Sequence, residues 1–281
     1  MTADICYRDL KNALSIVADE AAAYEAKEIV GAVLGLSEAE LRMVPFSKKE
    51  VSAEQQAELK AILARRETRE PLEYILGYAW FYGLRFSVSS DCLIPQADTE
   101  IVCEKLISRL ESGMRFADIC TGSGCIALTA LAETKHTTAV GYDISEGALA
   151  IAKKNADALG LSERFAAKKR DVFAEDFLEG EGEFDLIVSN PPYIETAVIA
   201  TLAPEVQNEP HIALDGGADG LIFYRRLLKI CPKHLKKGGA ILFEIGYDQR
   251  AALTKLCEEH GFRYEFYRDF GGNDRVLAVF L

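Results

Sequence analysis

From about residue 98 onward, short apolar runs alternate with amphipathic stretches, and few topologies accept that rhythm. Arg115–Ile119, Thr138–Tyr142, Phe184–Ser189 and Ala240–Ile245 are each too short for a helix and too apolar for a surface loop. Between them, Gly124–Ala132, Ser145–Leu159 and Gly220–Leu235 carry helical spacing. Strands joined through helices lie parallel with helices on both faces, so the expected class is α/β with a mostly parallel, Rossmann-like sheet. Two late runs, Arg263–Tyr267 and Arg275–Leu281, are separated by a short turn. They predict a hairpin that brings an antiparallel C-terminal strand into the sheet.

The N-terminal region has a different texture. Ser37-Glu38-Ala39-Glu40 and Ser52-Ala53-Glu54-Gln55 fit the capping box, in which a hydroxyl and a Glu or Gln satisfy free amides at a helix start. Leu59, Ile62 and Leu63 follow at helical spacing. A small helical bundle is expected over 1–70. Residues 71–94 read as a connector in which Phe81–Val88 alternates around Gly83 as a hairpin, leaving 95–281 for the α/β domain. Trp80, the single Trp, is expected to anchor the connector to the core.

Charge narrows the function. The 281 residues carry 32 Lys and Arg against 44 Asp and Glu, a net −12. Residues 1–88 balance to −3 and 89–281 to −9, so neither part is a basic platform for nucleic-acid phosphates. Lys168-Lys169-Arg170 and Lys233 with Lys236-Lys237 read as solvated surface. No apolar run reaches the ~18 residues a spanning helix needs, and the first nine residues hold two acids where an export signal would be basic. Seven cysteines without a Cys-x-x-Cys suggest reduced thiols. Cys120 and Cys125 have no nearby His and read as packing, so no metal is expected. A cytoplasmic, monomeric protein is expected.

Two segments carry chemistry. Asp118-Ile119-Cys120-Thr121-Gly122-Ser123-Gly124-Cys125-Ile126-Ala127 lies between an expected strand and helix, where glycines let backbone approach a ligand and free amides face it. Asp143 follows 19 residues after Gly124 at the end of the next strand, where a carboxylate can accept both ribose hydroxyl protons. The pair indicates a nucleoside cofactor without saying which; Gly-x-Gly-x-x-Ala also fits a nicotinamide dehydrogenase.

The second segment is Asp185–Ser189 running into Asn190-Pro191-Pro192-Tyr193. Two prolines remove backbone donors and fix a turn just past a strand's carboxyl end. The Asn190 oxygen and a proline carbonyl can grip a planar NH2 group, and Tyr193 can stack on it. An amide nitrogen is a poor nucleophile because its lone pair is delocalised. Two acceptors holding its hydrogens aim that lone pair at an electrophile such as a sulfonium methyl, an orientation effect of roughly 7–11 kcal/mol at best.

With these segments in view, Asp118–Leu128, Asp143 and Asn190–Tyr193 resemble class I S-adenosylmethionine-dependent methyltransferases, and more closely the protein-glutamine N5-methyltransferases that modify peptide chain release factors. Further markers are Arg66, Pro71–Gly77, Leu93–Glu100, Glu209-Pro210, Ala213–Leu221 and Glu244-Ile245-Gly246. The resemblance implies S-adenosyl-L-methionine held by Asp118, Cys120, Thr121, Gly122, Ser123, Gly124, Asp143, Asp171, Val172 and Asn190. It implies that Asn190, Pro191, Pro192 and Tyr193 bind the substrate, with Asn190, Pro191 and Tyr193 catalytic. The acceptor would be the glutamine of a Gly-Gly-Gln loop in a release factor. Two positions depart from the pattern: Cys120 stands where the family usually has Gly, and Gln96-Ala97 where it has Arg-Pro.

Three rivals stay open on sequence alone. An adenine-N6 nucleic-acid methyltransferase can use the same tetrapeptide on a flipped base, but usually adds a basic recognition region. A dehydrogenase has no use for Asn190–Tyr193. A non-catalytic methyltransferase-like scaffold has no need to keep a grip on an NH2 group.

Overall fold

The computed structural model describes Met1–Asp269 and Gly271–Leu281. Two compact units emerge, Met1–Gly77 with Ala203–Asn208, and Tyr78–Leu202 with Glu209–Leu281.

The first unit is built from helices Ala3–Leu14, Ala22–Leu34, Glu38–Met43, Ala53–Glu67 and Leu72–Leu76. Both capping boxes form: Ser37 N donates to Glu40 at 2.9 Å and Ser52 N to Gln55 at 3.0 Å. Leu10, Leu14, Ile29, Val30 and Leu59 fill its core. The unit runs to Gly77, not to residue 70. Leu72 joins the same core, and Gly77 ends the last helical turn at φ +76°. Within this unit the buried Arg66 guanidinium donates to Glu25 at 2.9 and 3.1 Å and to Glu205 at 3.0 Å. Arg69 also reaches Glu205, at 2.9 Å.

The second unit begins with an antiparallel hairpin, β1 (Tyr78–Phe81) and β2 (Leu84–Ser87). Phe81 and Phe86 are its anchors, each 0–1% exposed. Trp80 points the other way and is 49% exposed, correcting its expected role, because neighbours in a strand face opposite sides.

Seven strands follow: β3 (Arg115–Ile119), β4 (Thr138–Asp143), β5 (Phe165–Lys169), β6 (Phe184–Ser189), β7 (Leu235–Glu244), β8 (Arg263–Arg268) and β9 (Asp274–Phe280). Their order is β5-β4-β3-β6-β7-β9-β8. β3 to β7 pair in parallel, and β9 runs antiparallel between β7 and β8. β5 was not expected. Its sequence Phe165-Ala166-Ala167-Lys168-Lys169 has little apolar signal because it is an edge strand, where lysines discourage further pairing. The expected helix over 220–235 is shorter, Ile222–Ile230, and passes into a 3-10 turn carrying Pro232.

Alternate residues feed two apolar layers. Phe116 and Leu242 pack on one face, Ile119, Ile241 and Phe243 on the other. The strand order reverses at β3, which pairs with β4 on one side and β6 on the other, so a crevice opens where their carboxyl ends meet.

Arg66→Ala is expected to cost about 3–5 kcal/mol in urea unfolding, because it strands buried Glu25 without its counter-charge. An unchanged midpoint would contradict that assignment.

Candidate active site

A cavity of about 280 Å³ lies past the carboxyl ends of β3, β4 and β6. Its floor is the turn from β3 into helix Cys125–Glu133, contributed by Cys120, Thr121, Gly122 and Ser123. Thr121 N donates to Tyr142 O at 3.0 Å, drawing the turn onto β4. That approach needs Gly141, where an added Cβ would sit 2.9 Å from the Thr121 hydroxyl and 2.8 Å from the Phe165 ring. Gly124 starts the helix at φ +80°, with Leu128 and Ala152 close behind. Asn155 braces the turn from below, donating to Ser123 O at 2.9 Å and Ser87 O at 3.1 Å.

Asp118 and Gly124 are not part of the cavity wall. Asp118 is on the inward face of β3, fully buried, and accepts from the Thr121 hydroxyl at 2.6 Å. Burial pushes its carboxyl up to about 7, against hydrogen bonds from Thr121 and the Ala127 amide. Its work is to hold the turn.

Asp143 stands at the end of β4 in the cavity wall. Oδ2 accepts from Gly122 N and Oδ1 from Ser145 N, both at 2.9 Å, which fixes the carboxyl plane. Burial raises its proton affinity, opposed by amides of Ser145, Gly122 and Ile144. Beyond it, Ile144, Val172, Phe173 and Phe223 form an apolar slot, and the Asp171 carboxylate joins the same lining. The Phe173 and Phe223 rings meet edge to face at 5.0 Å.

On the opposite wall β6 ends in the tetrapeptide. Asn190 and Pro192 line the cavity, with Pro191 between them in the turn; Tyr193 is not in the lining. Among the described residues the Pro191 carbonyl carries no hydrogen bond. Tyr193, for which stacking on a substrate is expected, has other partners. Its ring packs on the apolar layer around Tyr224 and Phe243, and its hydroxyl donates to Glu244 Oε1 at 3.3 Å.

Several residues that shape this wall gave no usable sequence signal. Gln249 donates through Nε2 to Tyr193 O and Gly220 O, each at 3.1 Å, and accepts from Gly246 N at 2.9 Å. Gly216 and Gly220 lie against the Tyr193 backbone so closely that a Cβ would come within 2.7 and 2.4 Å of it. Glu209 accepts from Ile94 N at 2.8 Å, securing the loop that lines the cavity mouth. Gly216, Gly220 and Glu209 fall in segments that marked the family resemblance, but nothing local told what they touch.

A seven-stranded sheet in this order, with a glycine turn after β3, a carboxylate ending β4 and Asn-Pro-Pro-Tyr ending β6, defines a class I methyltransferase fold. The chain matches the family described as Methyltransferase small domain over residues 96–209, and the PrmC N-terminal domain over 7–77. It is 38% identical to the release factor glutamine methyltransferase of Agrobacterium fabrum, over 90% of this chain and 89% of that protein. The same enzyme of Geobacter sulfurreducens is 40% identical over 92% of this chain and 89% of its own. A crystal structure of a methyltransferase from Pyrococcus furiosus superposes with a TM-score of 0.54 at 21% identity, covering 71% of this chain and 90% of that one. The chain belongs to the release factor glutamine methyltransferase family. Methyltransferases of this class use S-adenosylmethionine. No helix among the described residues is long and apolar enough to cross a membrane.

Cys120 has φ +60°, a conformation that a residue with a Cβ adopts at a cost of about 1–2 kcal/mol. This accounts physically for the glycine usual at that position in the family. Cys120→Gly should leave the thermal midpoint unchanged or higher, whereas β-branched Cys120→Val should cost about 1–3 kcal/mol. A Gly variant less stable than the Val variant would rule out backbone strain at this position.

Proposed function

We propose that the chain transfers a methyl group from S-adenosyl-L-methionine to the side-chain amide nitrogen of the glutamine in the Gly-Gly-Gln loop of peptide chain release factors. The observation that carries the reading is one cavity with two ends: the Gly122–Asp143 pair on one wall and Asn190 with Pro192 on the other. The curated relatives bear the name of that activity.

The residues present fit the cofactor. Asp143, locked by two amides, offers its remaining lone pairs to ribose hydroxyls, and the slot between Ile144 and Phe223 suits a flat adenine edged by Asp171 and Val172. Cys120, Thr121 and Ser123 would surround the methionine end. When bound, the cofactor supplies a sulfonium methyl open to in-line attack without a metal.

The chain's own task is to make an amide nitrogen nucleophilic. Asn190 Oδ1 and the Pro191 carbonyl accept the two amide hydrogens, localising the lone pair and turning it toward the methyl. As the new N–C bond forms, the methyl–sulfur bond would break with its electron pair returning to sulfur as a neutral thioether, and the nitrogen gives up one proton along these acceptors to solvent. Pro192 closes the wall against water. Tyr193 acts from behind, tying the turn to Glu244 and Gln249.

The same grip would suit an adenine amine, but the basic clusters of the chain do not favour nucleic acid. Lys168 pairs with Glu181 at 2.8 Å, Lys169 with Glu146 at 2.8 Å and Lys236 with Asp185 at 2.8 Å, so these cations are already neutralised.

Mass spectrometry of a release factor after incubation with the protein and S-adenosylmethionine should place one added methyl on the Gly-Gly-Gln glutamine. Label in DNA or RNA and none in the release factor would overturn the reading. Asn190→Ala should lose most turnover with cofactor affinity within about 3-fold, because its oxygen meets the acceptor amide. Asp143→Ala should do the reverse, weakening cofactor binding by roughly 1.5–3 kcal/mol in calorimetry. Parallel losses of both quantities in both variants would refute the division of roles.

A further inference from the structure

A glutamine amide hangs on two methylenes, so a nitrogen held at Asn190 leaves an apolar stem in the mouth of the cavity. At the base of that end, Asn190 Nδ2 donates to the Thr99 hydroxyl at 3.4 Å. At the mouth stands the segment 209–217, and both of its ends are pinned. At one end the buried Glu209 carboxylate accepts from Ile94 N at 2.8 Å, in the loop where Ile94, Pro95 and Gln96 line the cavity. At the other end the segment pairs with Ile194, two residues past Pro192. Ile194 N donates to Leu214 O at 2.9 Å, and Gly216 N donates to Ile194 O at 2.8 Å. Thr196 secures the exit, its hydroxyl donating to Asp215 Oδ1 at 2.6 Å and its amide to Gly217 O at 3.0 Å. The segment therefore bridges the mouth loop and the chain leaving the tetrapeptide turn.

Between the pins lies one helical turn, His211–Leu214. Ala213 N donates to Pro210 O at 2.8 Å and Asp215 N to His211 O at 3.0 Å, so its backbone is fixed. Its side chains point to different places. Leu214 is buried and mounts the turn on the protein, whereas Ile212 and Ala213 belong to the cavity lining. Ile212 is nevertheless 54% exposed. A large apolar side chain on a pinned backbone, part in the cavity wall and part in water, gains free energy when something apolar covers it. The acceptor side chain supplies such a cover as its amide reaches Asn190. The glycines that precede the glutamine in a Gly-Gly-Gln loop have no Cβ to hold the loop away from the turn.

We propose that Ile212 is a specificity-determining residue which, with Ala213, forms an apolar collar packed on the methylene stem of the acceptor glutamine. The proposal rests on the functional reading above and adds the residue that recognises the part of the side chain carrying the amide. Ile212 touches neither the nitrogen nor the methyl group, so its contact is the same before and during transfer. Binding of that kind sets KM and leaves kcat alone.

The test is steady-state methylation of a release factor, with cofactor binding by calorimetry, on wild type, Ile212→Leu, Ile212→Ala and Ile212→Glu. Ile212→Ala should raise the KM for the release factor by roughly 5–30-fold, as when methylenes are lost from an apolar pocket, with kcat and cofactor Kd each within about 2-fold. Ile212→Leu keeps the volume and should hold KM within about 3-fold of wild type. Ile212→Glu sets a charge against an apolar stem and should raise KM further than Ile212→Ala. If Ile212→Glu fails to fold, Ile212→Ala against Ile212→Leu still decides: equal KM in the two overturns the proposal. A loss of kcat at unchanged KM also overturns it. A cofactor Kd that rises in step with KM would place Ile212 against the cofactor, and overturns it too. A wild-type protein that never methylates the glutamine overturns the functional reading instead.

Discussion

The abrupt end of β6 is the constraint on which the site depends. Ser189 is the last residue in register, paired with Ile119 of β3, and its hydroxyl donates to Ile119 O at 2.6 Å. The next turn contains Pro191 and Pro192, which have no N–H to continue the ladder. The chain must therefore turn out of the sheet at Asn190, at the point where the strand order reverses and the crevice opens. The turn's carbonyls are left without sheet partners, so side chains, water or a ligand must meet them.

A turn that carries an orienting task must also be rigid, and its stiffness comes from behind. The glycines at 216 and 220 allow backbone to press on the Tyr193 backbone, Gln249 satisfies the carbonyl there, and the half-buried Tyr193 ring packs against an apolar layer. On the other wall a parallel solution appears. Asp118 braces the glycine turn from within, and the turn then lends its Gly122 amide to fix Asp143. In both walls a turn is braced by a polar side chain that is not in the cavity lining.

Much of this was legible in the sequence, and what was not shares a physical cause. The capping boxes, the glycine turn and the Asn-Pro-Pro-Tyr turn are local, so residue types at fixed spacing declare them. The C-terminal hairpin and the antiparallel β9 were also readable, because one short turn between two apolar runs leaves few alternatives. β5 escaped because an edge strand has no need of an apolar pattern, and Trp80 misled because strand parity, not hydrophobicity, decided which aromatic of the hairpin turned inward. Gln249, Thr99 and Asn155 act across 56, 91 and 68 residues respectively. Pairings at that range belong to the fold. Asp118 and Tyr193 are expected to meet a ligand because their motifs surround one, and an inward strand face and apolar packing leave both outside the cavity lining.

Placement of the acceptor nitrogen is the most direct measurement, and a crystal structure with a release factor and demethylated cofactor bound supplies it. The account requires the glutamine nitrogen within about 3.2 Å of both Asn190 Oδ1 and the Pro191 carbonyl. An Asn190 side chain turned from the cavity, or a glutamine held by its oxygen alone, would contradict it.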